Sequence, residues 1–162
     1  MSELWELSAT NLVEKIRNRE VSASEALESC IRRTEAVNPD INAITIIYAD
    51  EARAAAQVAD ELQAKGGSIG PLHGIPVSVK ENIDVKGWPT TWGLPAFENT
   101  ISEVDAPIVA QLKEAGAIPF AATNLPDFAL RWNTDSSLRG KTNNPWDAKR
   151  TPGGSSGGAA AA

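Results

Sequence analysis

Apolar positions along the first part of the chain repeat with helical spacing. Leu12, Val13 and Ile16 fall on one face behind Ser8, a residue type that caps helices, which predicts a helix from Ser8 to about Arg19. Ser22 and Glu25 stand in the S-x-x-E spacing of a capping box, ahead of Ala26, Leu27, Cys30 and Ile31. This second helix is expected to run to about Val37 and to stop before Pro39, because the residue preceding a proline avoids αR geometry. Cys30 falls on the apolar face and is expected as a buried core thiol. The period then changes. AITIIY, Ala43 to Tyr48, is a β-branched run that predicts a strand.

Further along, Asp50 to Lys65 is Ala-rich and helical, stopped by Gly66-Gly67. Ile75 to Val79 reads as a buried strand between turn signals. Ala106 to Ala115 has helical spacing at Ile108, Val109 and Leu112, closed by Gly116, and Ile118 to Ala122 is a second buried strand. Helix and strand in alternation predict an α/β layered fold with a largely buried sheet. From about Thr123 the periodicity loosens, and turn formers dominate up to TPGGSSGGAAAA, residues 151–162. A loop-rich stretch of that length is functional or disordered. The alanines after Gly158 resemble the first turn of a helix.

Composition narrows the chemistry. The 162 residues suffice for one domain with a core, and 42% apolar with 22% charged residues is ordinary for a globular chain. With 15 Lys+Arg against 21 Asp+Glu and no basic run, nucleic acid is not expected as a direct partner. Cys30 and His73 are the only residues of their kinds, so no intramolecular disulfide and no Cys/His zinc cluster is expected. A histidine-based triad would have to use His73, and a lone histidine in a Gly/Pro-rich loop is more often structural. No apolar h-region opens the chain, and no run approaches the roughly 18 apolar residues of a membrane span. A cytoplasmic protein without membrane contact is expected.

Two segments can carry chemistry. Lys80 follows Pro76-Val77-Ser78-Val79 at a strand end, where α/β folds commonly place a crevice, and alternation puts it on the face of Ser78 and Pro76. A free lysine, with a pKa near about 10.4, is neutral in only about one molecule in 2,500 at pH 7. Burial lowers that pKa and makes a lysine a candidate general base. The alternative is a strand-end lysine snorkelling to water or pairing with Glu81. In TPGGSSGGAAAA, glycines on both sides of Ser155-Ser156 permit close approaches that other residues forbid. Gly/Ser runs also make flexible linkers. The letters of G-x-S-x-G occur here without the strand–turn–helix context of a nucleophile elbow, and no lysine follows the glycines as a P-loop requires.

GPLHGIPVSVKENIDVKG, then ATNLPDFALRWNTDSSLRGKTNNPWD, then TPGGSSGGAAAA together resemble the amidase signature family of serine hydrolases, over most of residues 40–162. The resemblance implies a Ser-Ser-Lys triad. Lys80 matches its ultimate base, and Ser155 matches the bridging serine, which in the family sits on a cis peptide bond. Ser156 matches a supporting serine, with Gly154 and Gly157 easing the packing around it. The implied fold is layered α/β/α with a mixed, largely buried sheet.

The family's nucleophilic serine and oxyanion N–H groups lie in a second Gly-rich motif that this sequence does not contain. Residues 1–162 are therefore expected as the N-terminal part of one truncated amidase domain, inactive alone. Within it, 1–40 hold opening helices, 41–122 an α/β core with the Lys80 strand, and 123–162 the run into the signature. The implied activity is hydrolysis of a carboxylic amide through an acyl-enzyme, with a small-molecule amide as substrate and no metal or organic cofactor. The alternatives are a subunit of a glutamine-dependent aminoacyl-tRNA amidotransferase or a non-catalytic truncated product. A sheet cut short would expose an apolar edge, which leaves a homo-oligomer open.

Overall fold

The computed structural model describes residues 3–162. The chain forms two compact units. The first takes the chain through Arg33, Tyr48–Val77 and Ala110–Phe120, and the second takes Thr34–Ile47, Ser78–Val109 and Ala121–Ala162.

In the first unit, α1 (Ala9–Arg17) begins at Ser8, whose Oγ accepts the Asn11 N–H at 3.2 Å. Helix α2 (Ala23–Ile41) begins on the expected capping box: Ser22 N–H donates to Glu25 Oε2 at 2.8 Å and Glu25 N–H donates to Ser22 Oγ at 3.0 Å. Asp60 of α3 (Ala49–Ala64) accepts the N–H of Ala23 at 2.7 Å and of Ser24 at 3.1 Å, so orphan amides of the α2 first turn are met by a carboxylate. Leu12, Ile16, Ala26 and Ile75 form a buried cluster, with Leu7, Val13, Val21 and Val77 packed against it. His73 is buried in this unit.

Two local expectations are corrected. Helix α2 does not stop before Pro39 but carries it in its last turn and ends at Ile41. A proline there forfeits a single bond near a helix end. Asn38 supplies the stop instead: its Oδ1 accepts from Ala43 and Ile44 N–H at 2.9 and 2.8 Å, and its Nδ2 donates to Ile44 O at 2.8 Å. Cys30 is half-buried rather than in the core, with burial raising its thiol pKa. The neighbouring Ser29 is buried in its place, its Oγ accepting the Trp5 N–H at 3.3 Å.

The sheet has strand order β1 (Ile44–Ile47), β3 (Ile118–Thr123), β2 (Pro76–Lys80). Strands β1 and β3 are antiparallel, pairing Ile44 with Thr123 and Ile47 with Ala121. Strands β2 and β3 run parallel, since Ile118 N–H donates to Ile75 O at 2.8 Å and Glu81 N–H to Thr123 O at 3.1 Å. The expected mixed sheet is present, and its burial is concentrated on the central strand. All of β3 except Pro119 is buried, whereas β1 and β2 are mostly half-buried. Helix α4 (Pro107–Glu114) buries Val109 but leaves Ile108 exposed. Two residues past its end, Gly116 has φ +95°, and a Cβ there would stand 2.8 Å from the His73 Cα, so both conformation and space call for glycine.

The stretch after Thr123 is ordered, by polar side chains rather than by apolar periodicity. Asn124 and Thr142 are completely buried. Asn124 N–H donates to Ala43 O at 2.9 Å, and its Nδ2 donates to Gly140 O at 2.9 Å and Thr142 Oγ1 at 3.0 Å. Its Oδ1 accepts from Ser136 Oγ at 3.2 Å, and Thr142 Oγ1 donates to Asn42 O at 2.6 Å. This lattice frames a two-rung ladder, β4 (Asp135–Ser136) with β5 (Gly140–Lys141). The last element is α5 (Gly157–Ala161). Among the described residues no helix is long and apolar enough to cross a membrane.

Asn124→Ala strips partners from several buried groups, each worth about 1–3 kcal/mol when left unsatisfied. It is expected to lower the unfolding free energy by at least about 2 kcal/mol in urea titration. An unchanged midpoint would show that the lattice is not what holds this stretch.

Candidate active site

Lys80 closes β2, whose last residues alternate: Val79 is buried while Ser78 is exposed and Lys80 half-buried. The Lys80 Nζ donates to Ser155 Oγ at 2.8 Å and to Ser156 Oγ at 3.0 Å, joining the strand end to a loop 75 residues downstream. Burial lowers the Lys80 pKa below the ordinary lysine value, because the low-dielectric surroundings penalise the ammonium.

Lys80 therefore does not pair with Glu81. Consecutive strand residues face opposite ways, and Glu81 turns inward, where its side chain is 0% exposed. Its Oε1 accepts from Arg139 Nη2 at 2.8 Å and Nε at 3.1 Å, and Oε2 has no hydrogen-bond partner. Arg139 is itself tied down: its N–H donates to Ser136 Oγ at 3.0 Å and its carbonyl accepts from Asn42 Nδ2 at 2.8 Å. The adjacent lysine and glutamate thus belong to two separate networks, one facing the serines and one facing the interior.

The serine loop is shaped by close contact. Gly153 has φ +91°, and its carbonyl accepts from Thr134 Oγ1 at 3.0 Å. At Gly154 the constraint is space, since a Cβ would lie 2.7 Å from Arg131 O and 2.8 Å from Asn133 N. A Cβ at Gly157 would collide with the Thr134 side chain, and one at Gly158 with the Asn124 backbone. The Gly154–Ser155 peptide is cis. Ser156 precedes α5, yet its side chain makes no capping bond; it meets Lys80 instead. A lysine amine, its pKa lowered, in contact with two hydroxyls can pass a proton between nitrogen and oxygen without a histidine. Among the described residues, no group of three or more His, Cys, Asp or Glu side chains is placed to hold a metal.

All five residues singled out from the sequence, Lys80, Ser155, Ser156, Gly154 and Gly157, lie in the second unit. The Glu81–Arg139 pair and the supports Thr134 and Asn124 escaped sequence reasoning. The one available signal was a glutamate beside Lys80 that strand alternation turns toward the core, where it requires a cation.

A family model described as Amidase matches residues 25–162. The chain belongs to the amidase signature family. It is 46% identical over 159 residues to indoleacetamide hydrolase of Bradyrhizobium diazoefficiens, covering 98% of this chain and 30% of that protein. It is 43% identical to a subunit of the glutamyl-tRNA(Gln) amidotransferase of Carboxydothermus hydrogenoformans, covering 98% of this chain and 33% of that one. A bacterial aryl acylamidase of the amidase signature family superposes with a TM-score of 0.92 at 31% identity, covering 96% of this chain and 32% of the other. The chain thus spans about a third of the length of the relatives it matches.

Arg139→Ala would leave Glu81 as an uncompensated buried charge. It is expected to cost about 3–5 kcal/mol of unfolding free energy, whereas Lys141→Ala at an exposed position costs under about 1 kcal/mol. Paired urea titrations compare the two. Equal small losses would show that the Glu81–Arg139 pair is replaceable by water.

Proposed function

We propose that the full-length protein hydrolyses a carboxylic amide C–N bond through an acyl-enzyme, with residues 1–162 forming part of a single amidase domain. Lys80 is the ultimate base, Ser155 the proton relay and Ser156 its supporting hydroxyl, with Gly154 and Gly157 allowing the loop to lie close. The 2.8 Å bond from Lys80 Nζ to Ser155 Oγ carries this reading, because it joins the two positions that the family pattern pairs.

The step is written as a relay. Neutral Lys80 takes the Ser155 Oγ proton while that oxygen takes a proton from a nucleophilic serine in the Gly-rich segment found further along in the family. The nucleophile's oxygen bonds to the substrate carbonyl carbon, the C–N bond breaks, and the proton returns through Ser155 to the leaving amine. Water then cleaves the ester along the same path in reverse. Likeness to indoleacetamide hydrolase at 46% identity supports a small amide as substrate. Likeness at 43% identity to a glutamyl-tRNA(Gln) amidotransferase component supports a second reading, a subunit that works with partner chains. Co-purification of partner chains with the full-length protein would favour it.

Ammonia release from phenylacetamide by the full-length protein is the test. Lys80→Ala and Ser155→Ala are each expected to lower kcat/KM by about 10²–10⁴, the usual worth of positioned proton transfer, with KM little changed. The catalytic lysine must be neutral, so the rate rises with pH as Lys80 loses its proton. The lowered pKa puts the midpoint of that rise below the free-lysine value of about 10.4. A Lys80→Ala variant with wild-type turnover would sink this mechanism.

A further inference from the structure

In the second unit, a pocket of about 460 Å³ lies among Trp92, Phe97, Phe128, Asp84, Thr90 and Ser102. Three aromatic side chains wall it. Two of them are held in a conformation that bulky residues rarely adopt: Trp92 has φ +52° and Phe128 φ +53°. The two are locked together, Phe128 N–H donating to Trp92 O at 2.9 Å. Phe97 packs edge-to-face on Phe128 with ring centroids 6.3 Å apart. Backbone strain on two residues that share a pocket marks a place where the fold maintains ring positions against local preference.

The polar end of the pocket is a carboxylate. Asp84 Oδ1 accepts from Thr90 Oγ1 and Ser102 Oγ, each at 2.7 Å, and these bonds hold its carboxyl below the usual range, so it is charged at neutral pH. Its Oδ2 has no protein partner among the described residues. Its sequence neighbours share its sign, residues 84–105 carrying Asp84, Glu98, Glu103 and Asp105 against Lys86, although Arg139 Nη1 lies 3.9 Å from Glu98. A charged oxygen with spare acceptor capacity, beside aromatic walls, is matched by an ammonium group on an apolar body.

We infer that this pocket binds a small organic amine in its cationic form, with the apolar body among Trp92, Phe97 and Phe128 and the ammonium on Asp84. The pocket lies close to the Lys80 segment, since Thr91 N–H, beside Trp92, donates to the Glu81 carbonyl at 3.1 Å; its test reads binding alone and so holds or fails apart from the amide chemistry proposed for Lys80.

Isothermal titration of the full-length protein with benzylamine and with benzyl alcohol, its neutral analogue, decides the matter. Benzylamine is expected to bind saturably and at least about tenfold more tightly than benzyl alcohol, a charge-assisted bond being about twice as strong as a neutral one. Asp84→Asn is expected to erase that preference. Phe97→Leu, at a partly exposed position, is expected to weaken both ligands. Because Asp84 also anchors Thr90 and Ser102, circular dichroism checks that its variant folds; if it does not, the wild-type preference and the Phe97→Leu loss decide. Equal affinities for amine and alcohol, no saturable heat with benzylamine at millimolar concentration, or a preference that survives in folded Asp84→Asn would each overturn the assignment.

Discussion

The absence of a Cβ at Gly154, Gly157 and Gly158 is the constraint on which the site depends. Each glycine lies against backbone or against a buried threonine, with less room than a methyl group needs. Only with that space empty can the loop settle on Asn124 and on the Arg131–Asn133 backbone, so that both hydroxyls reach one amine at 2.8 and 3.0 Å. Gly-rich composition is easily taken for flexibility. Here it serves the opposite end, since removing side chains lets two stretches of backbone pack directly and leaves the serines little freedom. Within the loop, Gly153, at φ +91°, uses the conformational latitude that glycine offers.

Strand alternation does the second part of the work. Because β2 ends on Lys80 and the next residue is Glu81, two opposite charges lie side by side in sequence yet face different surroundings. Were they paired with each other, the glutamate would raise the lysine pKa and hold it charged. Arg139 prevents this by occupying Glu81 from the interior, at 2.8 Å. Desolvation is then the dominant influence on Lys80, and it lowers the pKa. The buried ion pair is thus a means of insulating the amine as well as a structural contact.

Much of this was legible in the sequence where the determinants are local. Ser8, and Ser22 with Glu25, announce their helices because a cap is decided within four residues. The strand at Pro76–Lys80 was legible from its apolar run, and the family pattern brought Lys80 and Ser155 forward together. Elsewhere the simple rules failed, once to a competing local side-chain bond and otherwise to contacts distant in sequence. Pro39 entered α2 because the Asn38 side chain sets the stop beyond it. Cys30 is half-buried where a core thiol was expected, and the buried position falls to Ser29, which meets Trp5, 24 residues away. The order after Thr123 comes from bonds such as Thr142 to Asn42, spanning 100 residues, which leave no period to read. Glu81 could not be assigned from its neighbours either, since its partner Arg139 is 58 residues distant.

Asn124 has a consequence for how the site comes and goes. Its N–H is held by Ala43, just ahead of β1, its side chain by the β4–β5 region, and its backbone is the surface against which Gly158 rests. The serine loop therefore has no docking surface until the end of the sheet is in place. Fraying of the β1–β3 end would release loop and lattice together. Sheet edge and hydroxyl pair then form one cooperative unit, in which the amides of β3 and the Lys80–Ser155 contact share a common free energy of exposure.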